Sequence, residues 1–249
     1  MKAIHHLSAM LCVLLLAAPT TQAQFYKDMS IGIGAGAYIY QGDLTPARLG
    51  AFQSASTGIQ LFAQKPISSY LSGRFNINIA RLAANEANYS NPAWRQDRAF
   101  SFTTPVKEFT ALVIWNMKGN NDDRRGWVPY VLAGAGISFV RPAADFSKIN
   151  INVFKAGSNV QLGIAADIAH GPAKKLLAIP VGLGLEKSIS DRFSLQLESS
   201  YRFLFNDYLD GVSQAANPSI KDHYHSTTLN LVYKFGKKDN GVGCPIMKY

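Results

Sequence analysis

The sequence predicts an all-β protein: an up-and-down antiparallel transmembrane β-barrel of about eight strands, with long extracellular loops and short periplasmic turns. Three observations support this fold class. The chain begins with an export signal, and the remainder repeats stretches of about ten residues in which apolar and polar side chains alternate. The connections between these stretches are alternately short and long. No later segment is apolar for long enough to form a membrane-spanning helix.

The first 23 residues have the parts of a cleaved signal peptide. Lys2 precedes the apolar run Leu7–Ala18, and Thr21-Gln22-Ala23 supplies the small residues that a signal peptidase recognises, so we expect cleavage after Ala23. The apolar run is well short of the roughly 20 residues of a spanning helix, which argues against a membrane anchor. We therefore divide the chain into a signal peptide (residues 1–23), a barrel (residues 24–235) and a flexible periplasmic tail (residues 236–249).

Alternation of apolar and polar residues defines the predicted strands. It is clearest in Leu71–Leu82, where Phe75 and Ile77 face away from Arg74 and Asn76. In the first strand glycines occupy alternate positions, which lets a strand curve tightly in a narrow barrel. The eight predicted strands are Ser30–Tyr40, Thr57–Gln64, Leu71–Leu82, Phe109–Met117, Tyr130–Val140, Leu177–Lys187, Phe193–Phe203 and Thr227–Phe235.

The lengths of the connections are the most specific feature of the pattern. Bacterial barrels have short turns on the periplasmic side and long loops outside. The short connections fall at Lys65–Ser69, Lys118–Gly126 and Ser188–Arg192, and the long ones at Gln41–Ser56, Ala83–Arg98, Arg141–Leu176 and Phe205–Ser226. This order places the start of the mature chain in the periplasm.

A soluble lipocalin-like barrel remains an alternative, because periodicity does not reveal which face of the wall is inside. Aromatic residues near the strand ends favour the membrane version, since amphipathic rings prefer the membrane boundary. They fall toward the outer ends at Tyr40, Phe100, Phe102, Phe139, Tyr201, Phe203 and Phe205, and toward the periplasmic ends at Tyr70, Trp115, Trp127, Phe193, Tyr233 and Phe235.

Polar residues of the strands are expected to point into the lumen. Eight strands enclose just enough room for side chains, so we predict a filled interior in place of a porin channel. The predicted lumen residues include Asn76, Asn78 and Gln196, and the charged ones, which would form a structural ion-pair plug, are Arg74, Glu186, Glu198 and Arg202.

The charge balance is positive, with 25 Lys and Arg against 16 Asp and Glu and a net charge of +9. The basic residues are scattered and form no run, which argues against nucleic acid as a partner. For an exported protein the better match is an anionic surface, namely outer-membrane lipid and lipopolysaccharide.

One cluster has residue types that catalysis uses, namely Asp222-His223-Tyr224-His225-Ser226. An Asp, His and Ser set within hydrogen-bond reach would suit an outer-membrane lipid hydrolase or acyltransferase, which is our alternative function. The chain has no Gly-x-Ser-x-Gly motif, and the two histidines have no evident further metal ligands. We therefore expect no catalytic residue, no cofactor and no metal.

The tail carries the last cysteine of the chain. Gly236–Tyr249 contains Lys237, Lys238 and Cys244-Pro245. This composition predicts either a flexible end or a partner-docking peptide in which Cys244 bonds to another chain.

Several motifs together resemble a known family. Their carriers are Ala37–Leu44 (AYIYQGDL), Ala99–Phe102 with Glu108, Trp127–Tyr130 (WVPY), Ile179–Gly184 (IPVGLG), Tyr201–Phe203, the loop residues Asp207, Tyr208, Leu209, Asp210, Val212 and Ser213, and the ending Phe235–Lys238 with Cys244-Pro245. These residues are similar to a family of small outer-membrane barrels of Bacteroidota, usually catalogued as a domain of unknown function, which includes the PorG-like barrel of the type IX secretion and gliding machinery.

The resemblance covers nearly all of the mature chain. It implies a non-catalytic envelope role, with periplasmic secretion-system proteins as partners. The chain departs from the family at Gly211, where the family commonly has Asp, and in the loop Arg141–Leu176.

Overall fold

The computed structural model describes residues 28–47, 50–121 and 126–235. The expected signal peptide and the tail with Cys244 and Pro245 lie outside the described residues. The described strands are β1 (Ser30–Gln41), β2 (Ser56–Pro66), β3 (Leu71–Asn85), β4 (Ser101–Asn116), β5 (Trp127–Val140), β6 (Ala143–Asp145), β7 (Lys175–Ser188), β8 (Phe193–Leu204) and β9 (His223–Lys234). The helices are α1 (Trp94–Arg98) and α2 (Asn159–His170), with 3₁₀ turns at Phe52–Ser54 and Glu86–Asn88.

Eight long strands pair into a closed sheet. Each is antiparallel to its neighbours in the order β1, β2, β3, β4, β5, β7, β8, β9, and β9 pairs with β1, from Ser30 opposite Lys234 to Gln41 opposite His223. The short strand β6 pairs with the start of β4. This closed eight-stranded antiparallel barrel confirms the predicted fold class.

Two strands begin four or more residues earlier than the alternation predicts. β4 starts at Ser101, not Phe109, because Pro105 and the adjacent charged pair Lys107 and Glu108 interrupt the apolar pattern without interrupting the ladder to β3. A proline is tolerated in a strand where its missing N–H is not required by a partner. The last strand, β9, starts at His223, not Thr227.

The two faces of the wall decide between a membrane and a soluble barrel. The outward-facing apolar side chains are exposed, with Ile33 at 57%, Leu183 at 65% and Leu229 at 57%, whereas the inward-facing Arg74 and Gln60 are buried. A continuous apolar belt far exceeds the few hundred Å² that soluble monomers expose. The barrel is therefore polar inside and apolar outside, as outer-membrane barrels are, and the lipocalin-like alternative is wrong.

The two ends of the barrel differ. Among the described residues, the turn end carries residues 67–70, 117–121, 126 and 189–192, and the long-loop end carries residues 42–47, 50–55, 86–100, 141–174 and 205–222. Neither α1 nor α2, the helices in the described part of the chain, is long and apolar enough to cross a membrane.

The long loops fold over the mouth and fill it with apolar side chains. We call this cluster, with the loop segments around it, the mouth cap. Its fully buried members come from the strand ends and from three of the four long loops, and include Tyr40, Leu44, Leu82, Phe100, Leu204, Leu209, Val212 and Tyr224. Tyr40, Phe100 and Phe102 therefore lie inside the mouth, and the expectation that they line the membrane boundary is wrong.

Helix α2 packs directly on the segment that precedes β9. A Cβ atom on Gly163 would lie 2.4 Å from the carbonyl oxygen of Gln214 and 2.5 Å from the Cα of Ala215. Only glycine therefore allows this approach. It brings Ile164 against the cap cluster and fixes the long loop between β5 and β7 to the mouth.

Candidate functional site

The lumen is filled by a network of polar side chains, which we call the lumen plug. At its centre the guanidinium of Arg74 on β3 forms an ion pair with Glu198 on β8, across the barrel. Both side chains are almost completely buried. Arg74 also donates to Gln64 Oε1 at 2.8 Å and to Gln196 Oε1 at 3.2 Å, and it lies 4.2 Å from the ring of Phe62.

Glu198 has further donors besides Arg74. Tyr130 on β5 donates to it at 2.8 Å and Gln60 on β2 at 3.0 Å. Gly184 makes room for Tyr130, because a Cβ at that position would lie 2.2 Å from the tyrosine ring. Charge-assisted hydrogen bonds from three other strands thus stabilise one buried carboxylate.

A second ion pair lies nearer the long-loop end. Arg202 on β8 contacts Glu108 on β4 at 3.3 Å, and Glu108 accepts hydrogen bonds from Asn78 at 2.9 Å, from Ser138 at 3.0 Å and from Tyr224. Glu108 is fully buried. Its two oxygens accept from four side chains on four different strands, so this pair also connects the wall across the lumen.

The four residues expected to form the plug therefore divide between partners. Arg74 pairs with Glu198, but Arg202 pairs with Glu108, and Glu186 contacts the ammonium of Lys234 at 3.0 Å. Glu108 and Lys234 were not expected in the plug. For Glu108 the signal was present, because it alternates with Lys107 and Phe109 once β4 is extended back to Ser101.

In the mouth cap, one tyrosine hydroxyl lies between two buried carboxyls. Tyr40 Oη is 2.6 Å from Asp210 Oδ2 and 2.7 Å from Asp222 Oδ1. A hydroxyl has one proton to donate, so a second hydrogen bond requires a carboxyl that carries a proton. Backbone N–H groups of Val212 and Leu209 donate to the remaining oxygens. The geometry thus holds one proton on the carboxyl pair.

Burial and neighbouring carboxylates favour the protonated form of these groups. Burial, opposed by the Tyr40 and Val212 hydrogen bonds, raises the pKa of Asp210 to about 8. Burial and the charge of Asp210 raise the pKa of Asp222 well above its usual range. Burial also raises the pKa of Asp43 to about 6, although the N–H of Asn217 donates to it at 2.9 Å.

Asp167 of α2 organises the segment before β9. Its carboxylate accepts from the backbone N–H groups of Ser213 at 3.1 Å, Gln214 at 2.9 Å and Ala215 at 3.0 Å. The Tyr208 hydroxyl is 3.3 Å away, and its ring stacks on that of His170. This role of Asp167 could not be predicted from the sequence, because none of the family motifs lies in the loop that contains α2.

A second charged cluster joins three loops. Glu86 accepts from Arg95 at 2.8 Å and from Arg98 at 2.8 and 2.6 Å. The remaining N–H groups of the two arginines reach the backbone oxygens of Asp43 at 3.1 Å and Ala215 at 3.3 Å. The loops after β1, β3 and β8 are thereby tied together, and the cap is one connected unit.

The residues of the family motif converge on this cap. Leu209 and Val212 belong to its apolar cluster, Asp210 binds the Tyr40 hydroxyl, and the N–H of Ser213 donates to Asp167. Asp207 is buried beside them, and burial raises its pKa. Gly211 has a φ of +82°, a left-handed conformation that favours glycine.

The Asp222–Ser226 cluster is divided by the barrel wall. Asp222 is buried in the cap, and Ser226 faces the lumen, where Arg202 donates to it. His223 and His225 face outward beside Tyr201, and His223 Nδ1 accepts from the N–H of Leu204 at 3.2 Å. Residues on opposite faces of a strand cannot act as nucleophile and base, so the cluster has no catalytic geometry.

Metal ligation finds no support in this part of the chain. Among the described residues, no three His, Cys, Asp or Glu side chains are grouped in a way that would hold a metal ion. His223 and His225 lie on the outer face, and the carboxylates lie in the lumen or the cap, so the wall separates the two kinds of ligand.

A comparison with family models places the chain. The model described as a domain of unknown function, DUF6089, matches residues 5–243. The chain belongs to the DUF6089 family. No curated protein matches the sequence. Membership confirms the expected kinship with a family catalogued as a domain of unknown function.

Solved structures show a distant similarity to small outer-membrane barrels. Ail of Yersinia pestis, in complex with the heparin analogue sucrose octasulfate, is 13% identical, with 84% of this chain and 99% of that chain covered and a TM-score of 0.46. OprG of Pseudomonas aeruginosa is 12% identical, with 85% and 98% covered and a TM-score of 0.44. The outer-membrane enzyme PagL is 11% identical, with 82% and 97% covered and a TM-score of 0.37. The assignment of this chain as a closed barrel is therefore based on its own strand pairing.

Proposed function

We propose that this protein is a non-catalytic structural or assembly component of the outer membrane. One observation carries the proposal: the lumen plug fills the interior and the mouth cap covers the long-loop end, so only the outer wall and the two ends remain for contact. A barrel of this kind acts by binding other molecules at those surfaces. We orient the long loops outward and the turns toward the periplasm, as in other bacterial barrels.

The filled lumen argues against ion conduction as the function of this protein. Arg74, Gln60 and Glu198 are each less than 5% exposed, and ion pairs with several hydrogen bonds connect the opposing strands. Insertion of the purified protein into planar bilayers should therefore give no steady ion current. A reproducible current with defined unit conductance would contradict the proposed role.

The more specific part of the proposal is an assembly role in the type IX secretion machinery. It rests on the family resemblance and on the turn end, where apolar side chains stand exposed at the tips of two short turns. Ile67 is 72% exposed and Ile189 is 60% exposed. Exposed apolar side chains on tight turns are suited to contact a protein partner. Periplasmic secretion proteins are the partners that the resemblance implies.

Site-specific photocrosslinking in the native host tests this role. A photoreactive residue at Ile67 or Ile189 should capture periplasmic secretion components, whereas the same residue at Ile168, exposed on α2 in the cap, serves as the matched control. Capture from the turn end alone supports the assembly role. Recovery in the outer membrane with no secretion component captured from either end would remove the type IX role. Recovery as a soluble periplasmic protein would refute the barrel's place in the membrane.

A further inference from the structure

The charges on the eight barrel strands are sorted by face. All three carboxylates, Glu108, Glu186 and Glu198, point into the lumen, where each contacts a cationic side chain. The charged residues at outward-facing positions of these strands are all basic. At the turn end these are Lys65 and Lys187, and at the long-loop end they are Arg81, Lys107 and Lys175.

The three basic residues at the long-loop end lie on β3, β4 and β7, within four consecutive strands of the wall. Lys107 on β4 is directly opposite Phe139 on β5, and Phe139 is directly opposite Lys175 on β7. With strands about 4.8 Å apart, the two lysines stand roughly 10 Å from each other across one aromatic ring. On β3, Ile79 is opposite Lys107, and Arg81 is two residues nearer the loops. We call Arg81, Lys107, Phe139 and Lys175 the basic patch.

All members of the basic patch are accessible from outside the barrel. Arg81, Lys107 and Lys175 are exposed, and Phe139 is 41% exposed. The ammonium of Lys175 lies 5.7 Å from the Phe139 ring, and Arg81 reaches Thr103 Oγ1 only at 3.4 Å. These contacts leave most of the donor capacity of the three cations unused.

Acidic residues do not balance the patch. The outward acidic residue of β6, Asp145, pairs with Ser101, six residues along β4 from Lys107 and four from Pro105, the partner of Arg81. At about 3.4 Å per residue, Asp145 lies roughly 20 Å along the wall from the level of Lys107 and about 14 Å from that of Arg81. On the opposite side of the barrel, the outward positions at the same end hold Ile39, Tyr201 and His225, and no lysine or arginine. At the long-loop end, the outward basic residues of the strands are therefore confined to one side of the wall.

The surroundings of the patch define the chemistry of its ligand. Toward the middle of the membrane, the next outward positions are Phe109, Ile137 and Leu177, which are 39%, 47% and 55% exposed. Cationic side chains on the lipid face of a barrel cost roughly 2–4 kcal/mol at the midplane and about 0–1 kcal/mol near the interfaces. Three of them within four consecutive strands of the wall also repel one another. A lipid with an anionic headgroup would neutralise the cations, and its acyl chains would cover the apolar residues nearer the middle of the membrane.

We propose that the basic patch is a binding site for a phosphorylated glycolipid of the outer leaflet, with its phosphates on Arg81, Lys107 and Lys175 and its acyl chains on the apolar wall beneath. The inference rests on the proposed outer-membrane placement with the long loops outside. Bidentate contact from Arg81 and two point charges from the lysines suit a ligand with more than one phosphate.

Binding to nanodiscs of defined composition tests the site. The full-length protein is reconstituted in phosphatidylcholine with bis-phosphorylated lipid A, and lipid A retained per protein is measured by native mass spectrometry. In the variant Arg81→Gln/Lys107→Gln/Lys175→Gln the apparent Kd should rise at least tenfold. The matched control, Lys65→Gln/Lys187→Gln, removes cations from the turn end and should bind like the native protein.

Lipid A without phosphates provides the second comparison, and the native protein should retain it no better than the triple variant retains the phosphorylated form. Equal retention by the triple variant, an equal loss in the control, or equal retention of phosphate-free lipid A would overturn the site. Heat-modifiable gel mobility reports folding of each variant, and if the triple variant is unfolded, Lys107→Gln alone should weaken retention about threefold. Membrane fractionation separates the two proposals, because failure of the native protein to reach the outer membrane would refute the proposed function, whereas the nanodisc results bear on the lipid site alone.

Discussion

The lumen plug and the Asp210–Asp222 pair of the mouth cap both bury acidic side chains, but they neutralise them differently. In the plug, Glu198 touches Arg74 and Glu108 touches Arg202, so each carboxylate has a cation beside it. In the cap, the hydrogen-bond partners of Asp210 are the Tyr40 hydroxyl and a backbone N–H. A charge neutralised by a fixed cation is insensitive to pH near neutrality, whereas a carboxyl neutralised by its own proton is not.

The difference corresponds to the two regions' positions. The plug is enclosed on all sides by paired strands, so its cations are held in place by the wall itself. The cap is built from loops that meet through tyrosine and backbone N–H hydrogen bonds, apolar contacts and the ion pairs of Glu86 with Arg95 and Arg98. The plug should therefore determine the stability of the barrel as a whole, and the cap should open locally without unfolding it.

The largest effect is expected from breaking an ion pair in the plug. Arg202→Met leaves Glu108 buried without its cation, and the loss should be roughly 3–5 kcal/mol in the free energy of unfolding. Urea titration of the folded barrel in detergent micelles measures it. The double variant Arg202→Met/Glu108→Gln, which removes both charges, should recover most of the loss. A loss below about 1 kcal/mol for Arg202→Met would show that the pair is not a determinant of barrel stability.

A smaller and local effect is expected in the cap from Asp167→Ala. The change leaves the buried N–H groups of Ser213, Gln214 and Ala215 without their acceptor, at a cost of roughly 2–3 kcal/mol. Opening of this segment should rise about 30- to 150-fold, as measured by amide hydrogen exchange, while the urea midpoint of the barrel stays unchanged. Asp167→Asn keeps an oxygen acceptor and should open less. A parallel drop in barrel stability would mean that cap and plug unfold together.

A pH-dependent opening of the cap would sharpen the comparison further. The pKa of Asp210 is raised to about 8, above the unfolded value of about 3.9, so the stabilisation is fully present below pH 4 and is lost as the pH rises through 8. The nearby Asp222 shifts in the same direction, and Asp43 and Asp207 add to it.

Proteolysis of the segment before β9 should be faster at pH 8.5 than at pH 5.5, by at most about tenfold per pH unit for each proton released. The variant Asp210→Asn/Asp222→Asn cannot lose this proton and should show a shallower profile, in which only the contributions of Asp43 and Asp207 remain. The opposite dependence, with faster cleavage at pH 5.5, would contradict the proton held beside Tyr40.

The smallest effect is expected at the outer histidines. His223→Ala/His225→Ala should change the free energy of unfolding by less than about 1 kcal/mol, because both side chains are half-buried on the outer face and the hydrogen bond that His223 accepts from the N–H of Leu204 lies at the edge of the cap. If the native protein hydrolyses phospholipid in mixed micelles and this variant loses that activity, the enzyme alternative would return. Equal and negligible hydrolysis by both would agree with a non-catalytic barrel.

Much of the architecture followed from local pattern. Alternation in Leu71–Leu82 and Phe193–Phe203 located β3 and β8, because in a barrel wall each side chain meets lumen or lipid in strict turn. The pattern was less informative at the mouth. There Tyr40, Phe102 and Leu82 are apolar yet face inward, so hydrophobicity no longer marks the lipid side.

The sequence by itself determined that the chain forms an antiparallel barrel with one apolar and one polar face, because periodicity of two and strand length are local properties. Exposure of the apolar side chains in the structure decided that the polar face is inside. Only the tertiary structure decided which partners meet across the lumen. Arg202 is four residues from Glu198 on the same strand, yet it contacts Glu108 on β4, since the closed, staggered sheet brings β8 opposite β4 at that level. Alternation along β9 had already put His223 and His225 on the face opposite Ser226. Alternation assigns faces, but only closure of the sheet fixes which faces meet.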